Sequence, residues 1–419
     1  MRLTKDQQTA LRKMQSFDTP MLTLSGPAGT GKTTLIGHYL KQNKHGSVQV
    51  SATTHKAAAV LGNKTGVDVS TVHSLFGLRP IQDYSTGKTR LVKKNKGNLV
   101  PFSTVVVDEA SMIDREMLSI LREEASNNDS KLLFVGDSYQ LPPVADNDET
   151  PVVFDETPVV SLKKIVRQAA DNPIIEYASQ IRSVLDGKPY PKLPESDYIK
   201  KVDQSDFMTT VQDFYNSAAY QADPDHCRVL AWTNKTVIAW NRHIRQMLLG
   251  PDARKYEYVP GERLVSNKPV LFGEQVVIPN EATVTVENAE PGSMYGLHGH
   301  FLDVDFDGSV FKRLFVPRDH SAMRANGHKF ANKAKSEERK YGPHSEQKTE
   351  AWKKFFEYQD RMCDFRSGYA STIHKAQGST YQHAIIHGAD ISRATGHMLA
   401  RLMYVAVTRA AQTATIHLP

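Results

Sequence analysis

One loop constrains this chain more than anything else in it. Gly26, Pro27, Ala28, Gly29, Thr30, Gly31, Lys32, Thr33 and Thr34 follow the apolar run of residues 21–24 and precede a helix-like stretch, residues 33–40. Gly-x-x-x-x-Gly-Lys-Thr in a strand–loop–helix setting is the phosphate-binding P-loop pattern. Its glycines let successive N–H groups turn inward as an anion nest, and the positive end of the following helix adds to their pull. Lys32 can then reach the β- and γ-phosphates, and the Thr33 hydroxyl can complete a Mg²⁺ shell. The expectation is an α/β fold with parallel strands that binds ATP with Mg²⁺.

The neighbouring segments extend that reading. Residues 3–17 have the spacing of a short amphipathic helix with Thr4 as N-cap. Gln7 lies just ahead of the P-loop strand, where its amide could meet an adenine edge; a solvated helix glutamine is the plainer alternative. Residues 48–59 read as a second strand–helix unit, and residues 70–75 as a third loop of the same kind. Thr53, His55, Lys56 and His73 sit at these strand ends, where short hydroxyls, imidazoles and a lysine can hold sugar-phosphate without reading bases. Each alone is equally an N-cap or turn residue. Residues 103–107 form a buried strand that ends in Asp108 and Glu109. In a P-loop enzyme the first of such a pair holds Mg²⁺ and the second polarises the attacking water. Gln140, after the strand at residues 131–135, is placed to sense a γ-phosphate.

Residues 78–100 break this rhythm. They read as a small basic β-hairpin, and no acidic residue occurs in residues 84–107. Tyr84 and Leu91 set an aromatic and an aliphatic group among its lysines, a wedge for a nucleic-acid junction; a solvated basic face is the alternative. Composition narrows the setting. A chain of 419 residues needs two or more domains. The net charge of +6 permits a polyanionic partner. Two cysteines, Cys227 and Cys363, exclude a cysteine-based zinc site and a disulfide framework. There is no signal-like apolar core and no apolar run of spanning length. A cytoplasmic protein is expected, in the host cytoplasm if phage-encoded, with no membrane association.

The ordered set of Gly26–Thr33, Asp-Glu-Ala-Ser at 108–111 and Gly-Asp-x-x-Gln-Leu-Pro-Pro-Val at 136–144 resembles the superfamily 1 helicases, in their RecD-like 1B branch. Residues 162–168 and 172–175, 231–241, 368–380 and 402–410 are similar to that family's later motifs, in the family's order. The resemblance implies two RecA-like motor domains with parallel sheets, at residues 1–77 with 101–163 and at 164–258 with 366–419. It also implies a hairpin pin at 78–100 and an SH3-like β-barrel insertion at 259–365, the latter with a basic arm and a helix. It assigns Arg167 and Arg409 as arginine fingers, worth about 10³–10⁵ in turnover for such residues. Gly378 falls beside the nucleotide. Thr233, Asn234, Thr372, His374 and Lys375 form a second nucleic-acid grip. The expected protein is a monomeric 5′→3′ translocase on single-stranded DNA that unwinds a DNA fork beside replication or single-strand-binding proteins. An RNA or RNA–DNA helicase and a non-motor P-loop switch are the other readings.

Overall fold

The computed structural model describes residues 3–43, 47–82, 89–93, 97–144, 150–165, 172–273, 275–342 and 344–418. Arg167 and Tyr84 lie outside the described residues, as do the basic residues Lys88, Lys94 and Lys96 of the expected hairpin. Contacts divide the chain into two units. The first comprises Met1–Arg79, Leu91–Trp240 and Tyr369–Pro419, and the second Pro80–Arg90 and Asn241–Gly368.

The first unit holds two parallel sheets. Strands β1 (Met21–Ser25), β2 (Val48–Ala52), β3 (Ser70–Thr71), β4 (Thr104–Asp108), β5 (Lys131–Gly136) and β6 (Val159–Ser161) pair in the order β3-β2-β4-β5-β1-β6. Val105, Val106 and Val107 of β4 are all fully buried. This is the two-sided burial that makes a parallel strand read as a continuous apolar run rather than an alternating one. Helices α1 (Lys5–Ser16), α2 (Lys32–Gln42) and α3 (His55–Thr65) cover this sheet, and Thr4 caps α1 in a capping box with Gln7. Because every strand runs the same way, the loops leaving β1, β2, β3, β4 and β5 all emerge on one edge. Gly26 N–H donates to Gly136 O at 3.0 Å and Thr53 N–H to Asp108 O at 3.3 Å, tying these loops side by side.

The second sheet consists of β7 (Ile199–Val202), β8 (Cys227–Ala231), β9 (Ala370–Thr372), β10 (Tyr381–His387) and β11 (Ala410–His417), in the order β9-β8-β10-β11-β7, again all parallel. Helices α4 (Pro173–Val184) and α5 (Gly396–Thr408) pack on it. Leu141, from the loop after β5, is buried in the second sheet's core with Ile174, Ile181 and Ile386. The two sheets therefore share apolar packing.

In the second unit an antiparallel sheet runs Ser309–Pro317, Leu297–Phe306, Thr283–Met294, Arg263–Ser266, Phe365–Ser367. Asp307 and Gly308 turn its hairpin with φ of 50° and 75°, as the Asp-Gly pair requires for a type I′ turn. The unit begins at Asn241 rather than at residue 259, because the distal half of the helix Asn234–Leu249 is tied forward. Arg245 Nε donates to the buried Glu262 carboxylate at 2.6 Å and its NH1 to Ala253 O at 2.6 Å.

The stretch expected as a basic arm is instead the helix His320–Tyr341. Asp319 caps it, and Gly327, Ala331 and Ala334 bury a small-residue stripe while the basic side chains point elsewhere. That helix packs with Glu346–Arg361, in which Phe355 is buried and Trp352 stacks on Phe356, so these aromatics are packing groups. Leu78–Gln82 and Thr89–Lys93 form a two-stranded sheet. Among the described residues no helix is long and apolar enough to cross a membrane.

Candidate nucleotide site and strand-end grips

The P-loop leaves β1 and enters α2 through two glycines in the left-handed region, Gly29 at φ 86° and Gly31 at φ 82°. At Gly31 the left-handed backbone favours glycine, and a Cβ there would lie 2.6 Å from Gln7 Nε2, so that amide would have to shift. Gln7 is not the solvated helix glutamine of the plainer alternative. It is buried, its Nε2 donates to Thr30 O at 3.0 Å, and its Oε1 accepts from Thr4 N–H at 3.0 Å. The residue thus joins α1 to the loop. Thr30 turns its hydroxyl onto Pro27 O at 2.9 Å, and Lys32 folds back to donate to the Gly26 and Pro27 carbonyls. Thr33 and Thr34 open α2, with Thr34 exposed.

Asp108 and Glu109 lie at the end of β4. Glu109 has φ 53°, an uncommon conformation for a side-chain-bearing residue, and its N–H donates to Asp108 Oδ1 at 2.9 Å. Burial, and then the neighbouring Glu109 charge, push the Asp108 carboxyl up to about 7; the Glu109 N–H and Lys32 pull the other way. Two adjacent carboxylates so placed are relieved by a divalent cation. The donor set of Thr33 hydroxyl and Asp108 carboxylate is all hard oxygen, as Mg²⁺ prefers. Among the described residues no three acidic, histidine or cysteine side chains converge on one point. Such a cation would draw the rest of its shell from phosphates and water.

The loop after β5 is wired to the second sheet. Gln140 is buried, and its Oε1 accepts from Ser111 Oγ at 3.3 Å and from Gln377 Nε2 at 3.3 Å. Gln377 also donates to Leu141 O at 3.1 Å. Arg401 of α5 donates from NH1 to both Ser138 O and Gln140 O at 2.7 Å. Tyr404, one turn further, donates to Asp137 Oδ2 and accepts from the P-loop amide of Ala28 at 3.3 Å. A Cβ on Gly378 would lie 3.6 Å from Thr54 Oγ1, 3.7 Å from Ala57 Cβ and 3.8 Å from Glu109 Cγ, which sets that glycine beside the ends of the first sheet's strands. Arg409 caps the far end of α5, buried, and its guanidinium donates to Val405 O, Ser379 O and Thr408 Oγ1.

Sequence reasoning passed over Arg401, Tyr404 and Asp137. A signal was present: Arg401 and Tyr404 are three apart, hence on one helix face, in an otherwise apolar run.

The described nucleic-acid candidates other than Leu91 fall at strand ends or just beyond them, and several already have partners. Thr53 Oγ1 donates to Glu109 O at 3.3 Å. His55 and His73 are near enough to interact, and burial lowers the pKa of both. Lys56 is paired with Asp225 at 2.6 Å and lies over the Tyr381 ring at 5.1 Å. Thr233 belongs to a turn built on the buried Asp390: Asp390 Oδ2 accepts from Trp232 N–H at 2.9 Å, Thr233 N–H at 2.7 Å and Thr233 Oγ1 at 3.1 Å. Asn234 opens the next helix. Thr372 Oγ1 accepts from Lys375 N–H at 3.2 Å, and burial lowers the His374 pKa. Leu91 is half-buried against the core of the first sheet with Val72, Leu75 and Phe76, so it packs rather than projects.

A P-loop sheet joined to a second parallel sheet, with the nucleotide loop gripped by both, defines a two-lobed NTPase. The chain matches an AAA domain model over residues 2–204 and a UvrD-like helicase C-terminal domain model over residues 367–416. It is 26% identical to the ATP-dependent DNA helicase Dda of Enterobacteria phage T4, over 93% of this chain and 92% of that protein. It is 27% identical to the ATP-dependent RecD2 DNA helicase of Deinococcus radiodurans, over 97% of this chain but 48% of that longer protein. Its fold is that of the Pif1 helicase from Bacteroides, solved with ADP-AlF3 and single-stranded DNA, at TM-score 0.52 and 17% identity over 100% of this chain and 93% of the other. The chain is thus similar, over nearly its whole length, to ATP-dependent DNA helicases of a phage and a bacterium.

Proposed function

We propose that this chain is an ATP-dependent DNA helicase that translocates along single-stranded DNA, 5′→3′ as the family resemblance implies, and opens duplex ahead of it. The observation that carries this reading is the wiring of the loop after β5. Gln377, Arg401 and Tyr404, all from the second lobe, hold a segment that follows the nucleotide strands of the first. A kinase or a simple switch has no need of such an arrangement. In a motor it converts a change at the phosphates into a movement between lobes.

In this reading the P-loop of residues 26–34 wraps the phosphates, with Lys32 and the backbone N–H groups after Pro27 as donors, and Glu109 orients the attacking water. Gln140 reports the γ-phosphate, with Gly378 alongside. Thr33 and Asp108 would hold Mg²⁺, which when bound would neutralise charge at the transferring phosphoryl group. Arg409 acts as a finger once its guanidinium exchanges the Ser379 and Val405 carbonyls for phosphate oxygens; Arg167 is proposed for the same wall. Thr53, His55, Lys56 and His73 form one phosphate grip and Thr233, Asn234, Thr372, His374 and Lys375 the other, with contacts dominated by phosphate and stacking and therefore salt-sensitive. Lys56 joins its grip by leaving Asp225. Tyr84, within residues 78–100, is the proposed wedge at the fork, and the second unit's antiparallel strands are proposed as an SH3-like barrel. A monomer in the cytoplasm working beside replication or single-strand-binding proteins fits this activity.

Partial duplexes with either a 5′ or a 3′ overhang, made in DNA and in RNA, test the proposal with ATP and Mg²⁺. Strand separation restricted to the 5′-tailed DNA is expected. Separation of the RNA substrate alone would move the chain to the RNA reading, and separation of neither would remove the motor.

A further inference from the structure

The Tyr404 hydroxyl occupies a chemically constrained position. Burial holds the phenol well above its ordinary pKa, so the group carries its single proton, and that proton is donated to Asp137. The oxygen can therefore meet Ala28 N–H only as an acceptor, which it does at 3.3 Å. Ala28 is within the phosphate-binding loop, and a phosphate oxygen seated in that nest draws on the same kind of amide. One N–H cannot serve the phenol and a phosphate at full strength. Asp137 in turn accepts Tyr139 N–H at 3.0 Å. Arg401, on the same face of α5, holds the carbonyls of Ser138 and Gln140. Arg409 ends that helix.

We propose that Tyr404 is the positioning residue through which phosphate in the P-loop is reported to α5: a phosphate oxygen displaces the hydroxyl from Ala28, and the helix that carries Arg409 shifts against the loop after β5. Tyr404 touches neither the reacting atoms nor DNA in this role. It sets the exchange between nucleotide affinity and finger placement, and it rests on the motor reading above.

The test is Tyr404→Phe in the full-length protein, followed by single-stranded-DNA-stimulated ATPase kinetics and by DNA affinity with and without adenylyl imidodiphosphate. Losing one competing hydrogen bond should lower KM for ATP by about 3- to 10-fold. kcat should fall as Arg409 loses its cue, and the analogue should change DNA affinity less than it does in the unmodified protein. The buried Asp137 charge loses its donor in this variant, so Y404F/D137N, which removes the charge as well, is measured in parallel and should show the same split. KM, kcat and the analogue effect all equal to the unmodified protein in both variants would overturn the inference while leaving the motor intact. An unmodified protein without DNA-stimulated hydrolysis would overturn the motor reading and this inference together.

Discussion

The two parallel sheets present the same kind of edge and use it in opposite ways. After β1, the chain turns through Gly29 and Gly31 into α2 and directs its amides toward a site for a foreign anion. After β8, the chain turns at Trp232 and Thr233 into the helix Asn234–Leu249, and there the amides are taken by the protein's own anion, Asp390. An internal carboxylate fills the second nest. The first edge is thus open to a ligand, while the second is filled from within and its lobe lends side chains to the first. A two-lobed motor needs that asymmetry, because only a ligand that distinguishes two arrangements can drive movement between them.

The largest expected effect tests the first nest. Lys32→Ala should reduce DNA-stimulated ATP hydrolysis by at least ~100-fold, since it removes the positioned cation from the phosphates. Retained turnover would show that the first edge is no more a nucleotide site than the second. The variant should keep most of its folded stability, because Lys32 donates to two carbonyls of its own loop and otherwise acts on the Asp108 carboxyl, which can stay protonated without it.

The counterpart in the second nest should do the reverse. Asp390→Ala leaves two backbone N–H groups without their acceptor at a half-buried turn, while the Thr233 hydroxyl retains Thr236 Oγ1 at 3.0 Å. The expected cost is about 2–4 kcal/mol of stability by chemical denaturation. Restoring part of the acceptor with Asp390→Asn should recover part of it. A neutral Asp390→Ala would mean that the nest is not held by this carboxylate.

Much of the first edge was legible in the sequence because its chemistry is local. A glycine at φ 82° one residue before Lys32, and a Val-Val-Val strand that ends in Asp-Glu, are dictated by neighbours a few residues away. The second edge was not legible in the same way. Asp390 lies far along the chain from Thr233, Asp225 from Lys56, and Tyr404 from Ala28, and no spacing announces such pairs. The resemblance placed Thr233 and Lys56 on nucleic acid, whereas here both have protein partners. The basic stretch of residues 324–340 reads as an arm because its charges dominate. Its buried face, Gly327, Ala331 and Ala334, consists of residues too small to give an apolar signal.

A finer comparison sits inside the P-loop itself. Gly31→Ala combines a left-handed backbone with a Cβ placed 2.6 Å from Gln7 Nε2. The backbone part alone costs about 1–2 kcal/mol. Adding Gln7→Ala removes the clash but not the backbone strain, so the double variant should be less destabilised than the two single effects summed. Simple additivity in denaturation midpoints would mean that Gln7 gives way freely and does not brace the loop.

The smallest effect separates the lobes by their response to protons. His383, on β10 of the second sheet, stacks on Phe214 with ring centroids 4.4 Å apart and pairs its Nδ1 with Thr413 Oγ1 at 2.7 Å. Burial, and then the nearby His226, lower its pKa from 6.5 to about 4. The folded chain therefore keeps this imidazole neutral where the unfolded chain binds a proton, so the unfolded state holds more protons between those values. Stability from this group is complete above pH 6.5, declines as pH falls toward 4, and levels off below. His383→Gln should flatten that acid limb in denaturant titrations while leaving the KM for ATP unchanged, because the group lies in the lobe filled by the protein's own side chains. A matching change in nucleotide affinity would break the division of labour between the two sheets.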